Sequence, residues 1–220
     1  MTTRSAEERQ FSPSEASLNI VRAVTRKVPS FHHHYHILYD IAASMKKDRI
    51  VYAEVGAYAG ASAILMLHDM RTVVVSVDLG TPIPPRVALG HVHSYFDDGR
   101  YTYVQGDSRN EETKNRLRQS APVIDLLFID GDHTFSGVQS DFHMYSDMVR
   151  AGGFIVFDDY HCPASVEVKP AVDDIVSGLW TAEYSAIGTF ENSLGAKPSA
   201  MRRGNCFVLM KSERAAKLFI

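Results

Sequence analysis

From residue 50 onward the chain repeats one pattern: a short apolar, largely β-branched run, then a segment long enough for a helix. The runs are 50–55, 72–77, 101–104, 124–129 and 154–157. Strands buried on both faces read as near-continuous apolar runs, and strands that alternate with helices are joined by crossovers covering both faces of a sheet. The pattern therefore predicts an α/β fold with a doubly wound, Rossmann-like, mostly parallel sheet. After Pro163 the rhythm changes to a helix over 170–179, a strand over 183–189, a polar loop over 191–204 and a last strand over 205–210. Two strands joined directly by a loop pair antiparallel, so an edge hairpin completes a seven-stranded sheet. The 191–204 loop, with Gly195 and Pro198, reads equally as a flap or as a long hairpin connection.

A length of 220 residues suits one domain, with residues 1–48 as a helical segment of that domain, a lid or a dimer face, and 49–220 as its sheet-bearing body. Ser12, Pro13 and Glu15 make a helix start. A second helix over 31–45 carries His32, His33, His34 and His36. Consecutive residues point around a helix, which favours a half-exposed histidine face over a metal cluster. The formal charge of -3 gives no basic field for nucleic acid or an anionic membrane. With two cysteines and no C-x-x-C, no disulfide framework or cysteine-built zinc site is expected. The polar N-terminus and the lack of any long apolar run lead to the expectation of a cytoplasmic protein, with homo-oligomer formation left open.

The first run ends in Glu54-Val-Gly56-Ala-Tyr-Ala-Gly60, and a helix is expected over 61–70. Glycines after a strand let the backbone turn sharply and let a ligand approach it, while the helix amides face that ligand. The spacing is E-x-G-x-x-x-G, which departs from the G-x-G-x-x-G that seats a dinucleotide pyrophosphate. Asp78 closes the second run, where a carboxylate accepts hydrogen bonds from both ribose hydroxyls. Glu54, one strand over, offers negative charge to an amino group or a sulfonium. The third run leads into Gln105-Gly106-Asp107-Ser108, where Asp107 equally suits the cap of the next helix.

Two runs end in acidic clusters: Ile129-Asp130-Gly131-Asp132-His133 and Phe157-Asp158-Asp159-Tyr160-His161. The ends of neighbouring parallel strands lie about 5 Å apart, which brings Asp130 to the Asp158-Asp159 pair. Carboxylates gathered in this way raise one another's pKa unless a cation neutralises them. All-oxygen ligation favours Mg²⁺, with Mn²⁺ or Ca²⁺ next. The plainer alternative has Asp132 capping the following helix and Asp158 or Asp159 ending a strand in a turn. Tyr160 and His161 border the acceptor side or simply pack. Pro82, Pro84, Pro85, His91 and His93 read as structural.

In this order on successive strands, the segments resemble the class I S-adenosylmethionine (SAM) methyltransferases, whose first motif has the E/D-x-G-x-x-x-G form. The resemblance implies that Glu54, Gly56, Ala57, Tyr58 and Gly60 surround the methionine part of the cofactor, that Asp78 holds the ribose, and that Asp107 and Ser108 contact the adenine. I-D-G-D-H followed by G-G-x-I-x-x-D-D-Y is similar to the metal-dependent O-methyltransferases, including catechol O-methyltransferase. The similarity is greater to the macrolide- and aminocoumarin-sugar O-methyltransferases and the cephalosporin-hydroxylase-like proteins. It spans about residues 50–161, with Ala151 where the group carries proline. It implies Asp130, Asp158 and Asp159 as metal ligands, with Asp130 also on the cofactor wall. Catechol-type enzymes have a lysine three residues past the first metal aspartate, where this chain has His133; the sugar-modifying group has a second aspartate, here Asp132. Either is the candidate base.

The activity so implied is Mg²⁺-dependent transfer of a methyl group from SAM to a hydroxyl of a small molecule such as a sugar, a natural product or a catechol-like diol. A noncatalytic SAM- or metal-binding protein fits the same motifs. An NAD-dependent oxidoreductase lacks its glycine fingerprint. A nucleic-acid methyltransferase lacks the D/N-P-P-Y/F that grips a flipped base.

Overall fold

The computed structural model describes residues 14–25, 35–178, 183–190 and 206–213. The order is α1 (Glu15–Thr25), α2 (His36–Ser44), β1 (Ile50–Val55), α3 (Ala61–Leu67), β2 (Thr72–Asp78), α4 (Pro85–His93), β3 (Tyr101–Gln105) and α5 (Glu111–Ser120). There follow β4 (Ile124–Ile129), α6 (Phe135–Tyr145), a 3₁₀ turn (Ser146–Met148), β5 (Val149–Phe157), α7 (Val168–Gly178), β6 (Tyr184–Phe190) and β7 (Cys206–Lys211). The seven strands form one sheet in the order β3-β2-β1-β4-β5-β7-β6. The first five are parallel, and β7 runs antiparallel to both β5 and β6. The expected α/β architecture and edge hairpin are both present.

Side chains alternate across the sheet, and each face has its own core. Tyr52, Leu126 and Phe128 pack with residues of α1, α2 and α3. Ala53, Val55, Leu127 and Ile129 pack with residues of α5, α6 and α7. Because both faces are covered, the central strands show no polar alternation, and this is why they read as continuous apolar runs. Val21 and Val24 of α1 and Ile37 and Leu38 of α2 belong to the first core, where both helices also meet α3.

Element bounds shift by a residue or two at most ends and differ most from the sequence expectation at three places. Strand β5 begins at Val149, earlier than 154, and takes in Gly152 at φ +72 together with a register shift against β4. Helix α3 stops at Leu67. Segment 85–93 forms α4, with Pro85 in its first turn, where the sequence reading had no helix. Ser12 and Pro13, the histidines at 32–34 and the 191–204 loop lie outside the described residues. No helix among the described residues is long and apolar enough to cross a membrane.

At the N-terminal end of the parallel strands, buried Asp125 accepts hydrogen bonds from Lys47 Nζ, Arg150 Nε and the Val51 amide. These contacts hold its carboxyl below the usual range despite burial. They tie β1, β4 and β5 together at the end opposite the acidic clusters.

Candidate active site

The register lines up the C-terminal ends of the central strands. Val55 is paired with Val77 on one side and Ile129 on the other, and Ile129 is paired with Phe157. The next residue along each strand is therefore Gly56, Asp78, Asp130 and Asp158, in one row across the sheet edge. The chain reverses its direction of winding between β1 and β4, and ligands of open α/β sheets bind outside the strand ends at such a switch point. A cavity of about 430 Å³ opens there, lined among others by Gly56, Ala57, Tyr58, Ser62, Asp78, Asp107, Ser108, Asp130, Asp132 and His133.

Gly56 has φ +92, and a Cβ there would run into the Asp130 carbonyl, so the position requires glycine for both conformation and space. Tyr58, not a glycine, also sits at positive φ. Asp78 underwrites that geometry: its Oδ2 accepts from the amides of Ala57 and Tyr58, each at 2.9 Å, and its Oδ1 from Gly80 N at 2.6 Å. The expected ribose ligand therefore also shapes the glycine turn. Gly60 is not on the cavity wall; a Cβ there would meet Val92 of α4 at 2.8 Å, so it serves the turn and the packing of α4 on α3.

Glu54 does not line the cavity. It is fully buried, and its carboxylate accepts from Tyr52 Oη at 2.7 Å, Ser62 Oγ at 2.6 Å and Ser76 Oγ at 2.5 Å. Burial pushes its pKa up, and the three hydroxyls pull it back. Of these four residues Ser62 lies on the cavity wall, so Glu54 acts on the cavity through Ser62.

In the 106–109 loop, Asp107 is held below the usual carboxylate range by Arg109, whose Nε and Nη2 both stand 3.0 Å from its oxygens. Helix α5 is capped by Asn110, which accepts from Glu112 N, so Asp107 is not its cap. Ser108 is fixed from below by α6: Tyr145 Oη donates to its carbonyl at 2.7 Å. Nearby Asp141 is buried, and desolvation pushes its pKa up to about 6 against the opposing hydroxyl of Ser108.

The acidic ends of β4 and β5 converge around His133. Asp130 Oδ2 accepts from Tyr35 Oη at 3.0 Å, and its Oδ1 lies 3.1 Å from His133 Nε2. Asp159, at φ +56, receives the Ser165 hydroxyl at 2.8 Å, and Ser165 Oγ is also 3.1 Å from His133 Nδ1. Ser165 has a single hydroxyl hydrogen and gives it to Asp159, so toward His133 it is an acceptor. Both ring nitrogens then carry hydrogen, and the hydrogen bond to Asp130 pushes the His133 pKa up to about 9. Asp130 is driven upward by burial and then by the charge of Asp158. Asp158 and Asp159 are buried and do not line the cavity. Cys206 Sγ stands 3.6 Å from Asp158 Oδ1. Asp132 is half-exposed; it accepts from Thr134 N, while Thr134 itself caps α6.

The carboxylate chemistry at this edge suits a hard divalent cation. Among the described residues, however, no three His, Cys, Asp or Glu side chains stand grouped closely enough to hold one; the imidazole lies between Asp130 and Asp159. Sequence reasoning missed several wall residues. Arg109 and Ser62 were within reach, one beside the Asp107 loop and one in the first turn after the glycines. Tyr35 carries no local signal, because its partner is 95 residues away.

Residues 53–160 match the methyltransferase-domain family. An uncharacterized protein of Acanthamoeba polyphaga mimivirus is 32% identical over 178 residues, 76% of this chain and 79% of that protein. The chain belongs to the methyltransferase-domain family. The cofactor of this methyltransferase is SAM. Solved structures share the fold at low identity. The O-methyltransferase of Bacillus cereus, in complex with SAH, has a TM-score of 0.59 at 15% identity, covering 91% of this chain and 93% of that one. CalS11, a TDP-rhamnose 3'-O-methyltransferase of calicheamicin biosynthesis, has a TM-score of 0.56 at 17% identity, covering 91% and 96%.

Proposed function

We propose that this methyltransferase transfers the methyl group of SAM to a hydroxyl of a small acceptor bearing neighbouring hydroxyls, a sugar, natural product or catechol-like diol, with a divalent cation, Mg²⁺ first, at Asp130, Asp158 and Asp159. The observation that carries the reading is the shared edge: Gly56 and Asp78 of the donor cavity stand in register with Asp130 and Asp158. A site for methyl donor and a site for an activated oxygen are thereby neighbours. The O-methyltransferase neighbours support oxygen as the acceptor atom, and the TDP-rhamnose substrate named for CalS11 supports a sugar.

Bound SAM supplies an electrophilic methyl carbon on a positively charged sulfur. Displacement at that carbon needs the acceptor oxygen in line with the carbon–sulfur bond, so the work of the chain is positioning. The 56–58 turn, fixed by Asp78, holds the donor from one side, and the Asp130–His133 segment forms the facing wall. A cation held by the three aspartates would lower the pKa of the acceptor hydroxyl. The proton goes to Asp132 or His133, and His133 takes it only after giving up one of the two ring hydrogens that face Asp130 and Ser165.

The test is methyl transfer to a panel of diols, with and without EDTA, alongside calorimetric titration with SAM. Turnover on a diol that disappears with EDTA and in Asp159→Ala is expected. Turnover indifferent to both would sink the cation, and SAM binding without turnover on any hydroxyl would sink oxygen transfer.

A further inference from the structure

His133 stands where two of the proposed cation ligands would have to meet. Its Nε2 is 3.1 Å from Asp130 Oδ1 and its Nδ1 is 3.5 Å from Asp159 Oδ2. Ser165 latches the ring by accepting from Nδ1 at 3.1 Å while donating to Asp159 at 2.8 Å. Oxygen ligands of one octahedral Mg²⁺, each about 2.0–2.1 Å from the ion, sit about 3 Å apart when adjacent and about 4 Å apart when opposite. The two nitrogens of the ring, each in contact with one of these carboxylates, take up the space that an ion shared by Asp130 and Asp159 would need. The His133 side chain is 38% exposed, so the ring has a way out toward solvent and the cavity mouth.

We propose that the His133 ring and a divalent cation are alternative occupants of one position between Asp130 and Asp159, so that cation entry expels the ring. The inference rests on the cation reading given above. It makes His133 the residue that sets cation affinity without being a ligand. The binding-competent form is the fraction f with the ring displaced, and the apparent dissociation constant is the intrinsic one divided by f. Removing the ring, or the Ser165 latch, raises f toward one.

Mn²⁺ serves as the probe. Free Mn²⁺ is followed by electron paramagnetic resonance on the full chain and on His133→Ala, Ser165→Ala and Asp159→Asn, with SAH titrated calorimetrically into the same samples to establish a folded donor site. If f is about 0.1 or less in the parent, His133→Ala tightens Mn²⁺ binding about tenfold or more. Ser165→Ala is expected to tighten it less, and Asp159→Asn to lose it. Mn²⁺ also raises the melting temperature of His133→Ala more than that of the parent. Unchanged or weakened Mn²⁺ binding in both His133→Ala and Ser165→Ala overturns the exclusion while leaving the cation reading intact. Retained binding in Asp159→Asn places the ion elsewhere and overturns it too. Failure of every protein to bind Mn²⁺, with SAH binding normal, overturns the inference and the cation together and leaves the methyl-donor site standing.

Discussion

Two residues show how narrowly the site constrains its side chains. At Gly56 an added methyl group meets the Asp130 carbonyl backbone, which has no flexible end to yield. Gly56→Ala is therefore expected to lose SAH binding by calorimetry and to lower stability by about 2 kcal/mol, typical of a forced positive φ plus overpacking. Retention of parental SAH affinity would mean that the turn relaxes. Asp141 is the residue with the clearest pH signature. Its carboxyl is pushed up to about 6, first by desolvation. A group raised in the folded state stabilises fully below its unfolded pKa, about 3.9 for aspartate, and loses that contribution as pH rises through its folded value. Asp141→Asn cannot ionise, so its stability relative to the parent should improve by about 2–3 kcal/mol between pH 4 and pH 7.5. Urea unfolding across that range measures it, and a flat difference would remove the ionisation cost.

At the scale of elements, the sheet divides its two ends between stability and chemistry. Asp125 at the N-terminal end binds Lys47, Arg150 and the Val51 amide. Asp125→Ala takes the acceptor from all three donors, and since Lys47 and Arg150 reach solvent it should cost about 2 kcal/mol, the scale for hydrogen bonds to a charged group. Melting temperature should fall while SAH affinity of the folded protein stays unchanged; a weaker affinity would show that the clamp reaches the far edge. The same division explains what the sequence could reveal. The five parallel strands were legible because both faces are buried, as Leu126 to Ile129 illustrate with alternate residues in opposite cores. The Asp130 and Asp158 clusters were legible because each directly follows its strand. Helix α4 was not, because beside its Pro84-Pro85 start and its histidines the apolar stripe is as short as Ala88 and Val92. Nor was the place of Glu54 behind Ser62, since spacing along a strand does not tell which hydroxyls will close over a carboxylate. Tyr35 reaches Asp130 only through packing of α2 against β4, a contact that no local pattern encodes.

The whole molecule brings chain-distant segments to one cavity: Tyr35 before α2, the 56–62 turn, Asp78, the 106–109 loop and 130–133. No fragment of the unfolded chain holds that set together, so a donor bound there as proposed binds the folded state alone and stabilises it by mass action. Free SAH at 100 times its dissociation constant should contribute about 2.7 kcal/mol. For a chain of this size that corresponds to a rise of about 5–10 °C in melting temperature. The rise separates the two kinds of residue identified above. Asp78→Ala removes the acceptor for three turn amides, and charge-assisted bonds of this type contribute about 1.5–3 kcal/mol each. Its turn should open and the SAH-induced rise should vanish at the same ligand concentration. Asp125→Ala should melt at a lower temperature yet show the full rise, because its damage lies across the sheet from the cavity. If both variants lost the rise, the cavity would depend on the integrity of the whole sheet, and the separation of a stabilising end from a binding end would be wrong.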